Sequence, residues 1–162
     1  MTTQTRQRRV AKFSLQGGRF AIIVSRFHQN ITTKLLRAAL ECFRKHGVSS
    51  RNLRVYRCPG AFELPQVANM LVTSGRWDAI VCLGAVVRGE TPHFEYVARE
   101  AARGIQRVAL KSRTPVVFGV LTTDTLEQAH ERAGGVHGNK GWDAALAAME
   151  MAKVFTTIRN DV

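Results

Sequence analysis

Arg19-Phe20-Ala21-Ile22-Ile23-Val24-Ser25 is an unbroken apolar run, bounded by Gly18 on one side and a polar turn on the other. A strand with one wet face alternates apolar and polar residues. A continuous run of this length suits a strand buried on both faces, as in a parallel sheet. Working outward, DAIVCLGA (78–85) and PVVFGVL (115–121) repeat the pattern, and LRVYRC (53–58) makes a further strand that Pro59-Gly60 breaks. Between them lie helical periods. From 30 to 46, Leu35, Leu36, Ala39, Leu40 and Phe43 share one face while Lys34, Arg37, Glu41 and Arg44 take the other, and Gly47 ends the pattern.

Further helices are expected at about 63–74, at 92–110 with Thr91 as cap and Pro92 at the first helical position, and at about 141–157. Asp124-Thr125-Leu126-Glu127-Gln128 offers two overlapping capping-box registers for another helix, ending at Gly134-Gly135. Strands alternating with helices through short loops require right-handed crossovers and a parallel sheet covered on both faces. The expected fold is therefore α/β: a three-layer α/β/α sandwich, flavodoxin-like in the broad sense, with four parallel strands. So narrow a sheet has edges to protect. The stretch 11–15 is long enough for a short strand with no place in its own sheet, and it is expected to add to that of a neighbouring subunit. Residues 1–11 are expected to be a basic tail and 12–162 a single domain.

The chain of 162 residues is 45% hydrophobic, which suits one folded domain. No apolar stretch reaches the ~18 residues of a membrane span, and the N-terminus has no apolar segment of a secretory signal. Cys42, Cys58 and Cys82 form no C-x-x-C pair. These features make the cytoplasm the expected compartment. Lys and Arg outnumber Asp and Glu by 24 to 12, a bias toward anionic partners such as phosphorylated metabolites or nucleic acid. Arg6, Arg8, Arg9 and Lys12 crowd the tail, but the other basic residues are dispersed and aromatics make up only 7%. Weak, non-specific nucleic-acid association is all that this pattern predicts.

Neither a dinucleotide fingerprint nor a P-loop is present. In a fold of this class ligands bind beyond the carboxyl ends of the strands, so the loops at 26–30, 59–63, 86–93 and 122–124 carry the candidates. Gly89 and the helix start after it form a cradle for phosphate, because a helix N-terminus presents free N–H groups. His93 lies in the first turn beside it, placed for proton transfer, although a lone histidine in a first turn is more often simply a surface residue. Glu63 after Pro59-Gly60 either accepts from ligand hydroxyls or compensates a helix dipole. Phe27 either stacks on a flat heterocycle or staples the next helix. Phe118, Arg132 and Lys140 have core, capping and solvated-charge readings that their surroundings in sequence do not separate.

Five stretches carry a resemblance in order and at the right spacing: RFHQNIT, PGAFELP, GAVVRGETPHFEYVA, FGVLTTDTLEQAHERAG and GNKGWDAALAAMEM. Together they resemble the lumazine synthases, over nearly the whole chain from Arg19 to Phe155. The basic first dozen residues have no counterpart there. The resemblance implies an enzyme that condenses 5-amino-6-(D-ribitylamino)uracil with 3,4-dihydroxy-2-butanone 4-phosphate, a reaction without a metal or redox cofactor. It further implies that Phe27 stacks on the pyrimidine, that Ala61, Phe62 and Glu63 hold the ribityl chain, and that Ala85, Val86 and Val87 read the pyrimidine. Glu90 and Thr91 correspond to the phosphate turn, and His93 to the proton-transfer residue. Phe118, Arg132 and Lys140 correspond to residues that a neighbouring subunit supplies: a ring-pocket wall, a phosphate clamp and a substrate-proximal cation.

The implied assembly is a pentamer with one site at each subunit boundary. The short turn Gly134-Gly135-Val136-His137-Gly138-Asn139-Lys140-Gly141 is similar to that of members whose pentamers build sixty-subunit icosahedral shells. Riboflavin synthase is the partner such shells imply. The alternatives are an inactive shell relative, which would be expected to lack His93 or Arg132, and a nucleic-acid-binding relative, which would cluster its basic residues on one face.

Overall fold

Along β1 (Phe20–Ser25) successive side chains leave on opposite sides of the backbone, so one strand serves two layers. Phe20, Ile22 and Val24 enter one core and Ala21 and Ile23 the other, and all five are fully buried. The computed structural model describes residues 14–162. It sets β1 in a parallel sheet with β2 (Leu53–Cys58), β3 (Ala79–Val87) and β4 (Val116–Thr123), in the order β2-β1-β3-β4. Helices α1 (Gln29–Lys45) and α5 (Lys140–Asp161) pack on one face, and α2 (Leu64–Thr73) and α3 (His93–Leu110) on the other. This is the three-layer, flavodoxin-like sandwich that the apolar runs imply.

Several boundaries differ from the periodicity, each for a local reason. The segment Ala61–Glu63 is a separate 3-10 turn before α2, because the Glu63 carboxylate turns back to accept from the Gly60 N–H at 2.9 Å. Pro92 is the cap of α3 rather than its first helical residue. Of the two capping registers near 125, Thr125 wins. Its hydroxyl accepts from Gln128 N–H at 3.2 Å, while the Gln128 amide oxygen accepts from the backbone N–H of both Asp124 and Thr125, which starts α4 (Leu126–Glu131). After it, β5 (Ala133–Gly135) and β6 (Gly138–Asn139) form a two-stranded hairpin where the sequence shows only a glycine-rich turn. Strands so short carry no periodic signal. β2 is an edge strand, and Arg54 through Arg57 lie exposed on it.

Of the stretch 11–15 expected as an added strand, residues 11–13 lie outside the described residues, as does the basic tail with Arg6, Arg8, Arg9 and Lys12. Ser14 and Leu15 open a tight turn, with Gly17 N–H donating to the Ser14 carbonyl at 3.2 Å and Gly18 N–H to that of Leu15 at 3.3 Å.

Within their shared layer, α5 packs tightly against α1. Ala144, Ala145, Ala148 and Ala152 line the buried stripe of α5, so small side chains let the two helices approach. At the first turn Gly141 lies against Leu35, where a Cβ would meet the Leu35 carbonyl oxygen head-on and its carbonyl carbon at 2.6 Å. Backbone cannot give way as the end of a flexible side chain can. Asn139 holds the same turn, its amide donating to the Lys34 carbonyl at 3.2 Å and its side-chain oxygen accepting from Gly141 N–H at 2.8 Å. Gly141→Ala is therefore expected to cost about 1–3 kcal/mol, the range for overpacking a tight core. Thermal denaturation checks it: a melting temperature within a degree of the parent would show that the helices separate without penalty.

Candidate active site

The strand order reverses its winding between β1 and β3, and a crevice opens there at the carboxyl ends. It is a cavity of about 590 Å³ formed by the loop after β1, the 3-10 turn after β2, the end of β3 and the first turns of α3. Its lining brings together Phe27, Ala61, Phe62, Glu63, Ala85, Val86, Val87, Thr91 and His93 from the sequence-derived candidates. Glu90 stands exposed on the same turn as Thr91, just off the lining. The other candidates lie elsewhere on the chain.

Each wall has a local cause. Backbone bonds from Arg26 N–H to the Cys58 carbonyl (2.9 Å) and from Phe27 N–H to the Pro59 carbonyl (3.0 Å) tie the loop after β1 to the end of β2. Phe27 is thereby held in solvent, 67% exposed, and Phe62 is 56% exposed beside it. Two aromatic faces left in water at one crevice suit a flat ring. The apolar floor is the end of β3, where Ala85 and Val86 are buried. Glu63 spends one carboxylate oxygen on Gly60 N–H and keeps the other for the cavity.

The turn 88–92 is braced by Arg88. Its Nε lies 2.8 Å from an Asp124 carboxylate oxygen and its Nη1 3.4 Å from Glu95, while the guanidinium covers the Phe94 ring at 4.6 Å. Arg88 N–H also donates to the Thr123 carbonyl at 2.9 Å. One side chain so links the end of β3, the end of β4 and the first turn of α3, which carries His93. Nothing in the local sequence marks Arg88 for this, because Asp124 is 36 residues away.

His28 also lines the cavity, and the sequence reading missed it. It caps α1 in a left-handed conformation (φ 55°, ψ 50°), the one non-glycine residue among those described with positive φ. Such a backbone costs a side-chain-bearing residue about 1–3 kcal/mol. Burial holds its imidazole below the ordinary histidine range, so it is neutral at neutral pH. The one available signal was its place directly after a strand and an exposed aromatic.

Phe118, Arg132 and Lys140 do not reach this cavity. Phe118, 45% exposed on the edge strand β4, lines a separate cleft with Ala102, Ile105 and Leu110 of α3. Arg132 follows α4 and donates to the Gln128 carbonyl at 3.1 Å, and Lys140 opens α5 and contacts Asp143 at 2.9 Å. The Lys140 N–H donates to the Arg132 carbonyl at 2.9 Å, so these two cations are neighbours on the hairpin. The cysteines contribute no nucleophile. Burial pushes the Cys42 and Cys58 thiols up to about 11 and Cys82 higher still.

Against known proteins, residues 17–156 match the 6,7-dimethyl-8-ribityllumazine synthase family. The chain is 51% identical over 142 residues to the 6,7-dimethyl-8-ribityllumazine synthase of Chlorobium luteolum, an alignment covering 88% of this chain and 92% of that one.

Because the Arg88 ion pairs are exposed and screened by solvent, Arg88→Ala should leave the stability of the fold nearly unchanged. It should nonetheless free the turn 89–92, seen as faster amide hydrogen exchange confined to that turn. Unchanged exchange would show that the backbone alone holds it.

Proposed function

The chain belongs to the 6,7-dimethyl-8-ribityllumazine synthase family, and from that premise we propose that its crevice is one half of an active site which a neighbouring subunit completes. The activity is that of the family. 5-Amino-6-(D-ribitylamino)uracil condenses with 3,4-dihydroxy-2-butanone 4-phosphate to give 6,7-dimethyl-8-ribityllumazine, phosphate and water, the penultimate step of riboflavin biosynthesis. Neither an inactive shell relative nor a nucleic-acid-binding one is favoured.

The observation that carries the division of labour is the split of the candidate residues. Phe27, Glu63, Val86, Thr91 and His93 share one cavity, whereas Phe118, Arg132 and Lys140 lie off it. A phosphate substrate needs compensating charge, and among the described residues no Lys or Arg lines the cavity. A second copy offering Arg132 and Lys140 would supply it, and a guanidinium fork suits phosphate better than an ammonium does.

In this reading the pyrimidine stacks on Phe27 and reads the backbone of 85–87, the ribityl chain lies along 61–63, and Phe118 of the adjacent copy closes the ring pocket. The phosphate sits on the turn of Glu90 and Thr91 at the start of α3, where free N–H groups and the helix dipole favour an anion. The 5-amine attacks the ketone carbon and a first water leaves as the imine forms. Phosphate is then eliminated, the resulting enol becomes a ketone, and the ribitylamine nitrogen closes the ring on that carbonyl with loss of a second water. His93 moves protons among these oxygens and nitrogens. Most of the acceleration comes from holding two reactants in register, and general acid–base catalysis adds the rest.

The assembly we propose is a pentamer, supported by the exposed apolar cleft along β4 and by the two cations Arg132 and Lys140, which lie off the crevice of their own subunit. The short hairpin turn supports further assembly to a sixty-subunit shell, with riboflavin synthase as its associated enzyme and the cytoplasm as its compartment.

Two measurements test this reading. His93→Ala is expected to lower kcat by about 10- to 100-fold, toward the low end for acid–base catalysis because positioning survives. Wild-type turnover in that variant would remove His93 from the chemistry. Native mass spectrometry at physiological salt is expected to show sixty subunits. A pentamer dominant across a wide concentration range would refute the shell, and an active monomer would refute the shared site.

A further inference from the structure

The turn assigned to the phosphate is surrounded by charge of the wrong sign. Glu90 stands on it and Glu95 lies in the first turn of α3. The Asp124 carboxylate reaches the same corner from the end of β4, where Val87 pairs with Thr123. Among the described residues no Lys or Arg lines the crevice to offset them. A carboxylate in a first helical turn also draws on the N-terminal dipole that would hold an anion, so Glu95 competes with a phosphate for the same field. Left alone, these groups would repel a dianion.

Arg88 answers two of the three. Its Nε meets Asp124 at 2.8 Å and its Nη1 meets Glu95 at 3.4 Å. The guanidinium covers the Phe94 ring at 4.6 Å, and Phe94 lines the crevice, so the cation sits against the cavity wall without lining the cavity itself. Arg88 directly precedes Gly89, and Glu95 N–H donates to the Pro92 carbonyl at 3.0 Å, which puts these charges at the two ends of the turn 89–92. All three side chains are exposed, and exposed ion pairs add little to stability. Their field still acts on a charged ligand within a Debye length, about 10 Å at ~0.1 M salt.

We propose that Arg88 is a positioning residue that holds the Asp124 and Glu95 carboxylates in ion pairs, offsets their charge and thereby sets the affinity of the crevice for the phosphate of 3,4-dihydroxy-2-butanone 4-phosphate. This rests on the reading that the turn 89–92 holds that phosphate. Arg88 touches neither substrate, and its effect is electrostatic.

The test measures KM for butanone phosphate, with the pyrimidine saturating, in the parent and three variants: Arg88→Ala, Asp124→Asn with Glu95→Gln, and all three changes together. Asparagine and glutamine keep the shape of the acids and still accept from the guanidinium. In Arg88→Ala both carboxylates are left without their cation, in the double variant the cation is left without the carboxylates, and in the triple variant neither remains. KM should therefore be highest in Arg88→Ala and lowest in the double variant, with the triple variant at or below the parent. Arg88→Ala should raise KM about two- to five-fold at ~0.05 M salt, and the difference should fade by ~0.5 M. The KM for the uncharged pyrimidine should not move, nor should kcat, because the loss is one of phosphate binding. Any loosening of the turn persists in the triple variant, so only a charge effect is reversed there. A triple variant as impaired as Arg88→Ala would assign the defect to lost bracing and overturn the inference. Equal KM in all four proteins, or an Arg88→Ala defect that ~0.5 M salt leaves intact, would overturn it too. Parent protein with no turnover of the two substrates would overturn the reading of the site as well.

Discussion

The parallel register of the central sheet is the constraint on which the rest of the molecule depends. Ser25 pairs with Cys58, Val24 with Leu83 and Ala85 with Leu121, so every strand delivers its carboxyl end to one side of the molecule. The loops that follow β1, β2 and β3 therefore meet in one crevice although they lie far apart in sequence. Parallel strands also demand crossovers, and the crossovers cover both faces, which leaves the apolar runs no wet side. The same geometry strips the carboxyl end of regular structure to pair with. Its backbone groups are satisfied by loop-to-strand bonds such as Arg26 to Cys58 and Arg88 to Thr123, and those bonds shape the cavity.

How much of this could be read from the sequence depends on the length scale of each feature. Runs such as RFAIIVS and DAIVCLGA announce buried strands because their residues have only one environment to answer to. The capping box at Thr125 and Gln128 was legible for the same reason, since it needs only residues three apart. The β5–β6 hairpin was not, because two or three residues cannot display a period and glycines at 134 and 138 serve many turns. The one-residue shift at Pro92 and the run of α5 on to Asp161 belong to the ordinary ambiguity of helix ends.

The site divides along the same line. Residues beside a strand end, such as Phe27, Glu63 and His93, are placed by topology alone, so knowing the strands locates them. Arg88 owes its position to Asp124 across the sheet, a contact that no local pattern encodes. His28 was overlooked because its unusual property is a backbone angle, and a sequence shows residue types rather than dihedrals. Phe118, Arg132 and Lys140 are the converse case. The family resemblance supplied their roles, while the geometry of one chain leaves them off the crevice.

The three cysteines are each 3% exposed or less, one in each of α1, β2 and β3. Because the thiols are both covered and held protonated, the native chain offers an electrophile almost nothing to attack. Their locations make them informative. Cys42 belongs to the layer of α1 and α5, while Cys58 and Cys82 belong to that of α2 and α3. Alkylation is therefore a clock for opening rather than for surface chemistry. The order in which the three are labelled would report which layer lifts from the sheet first.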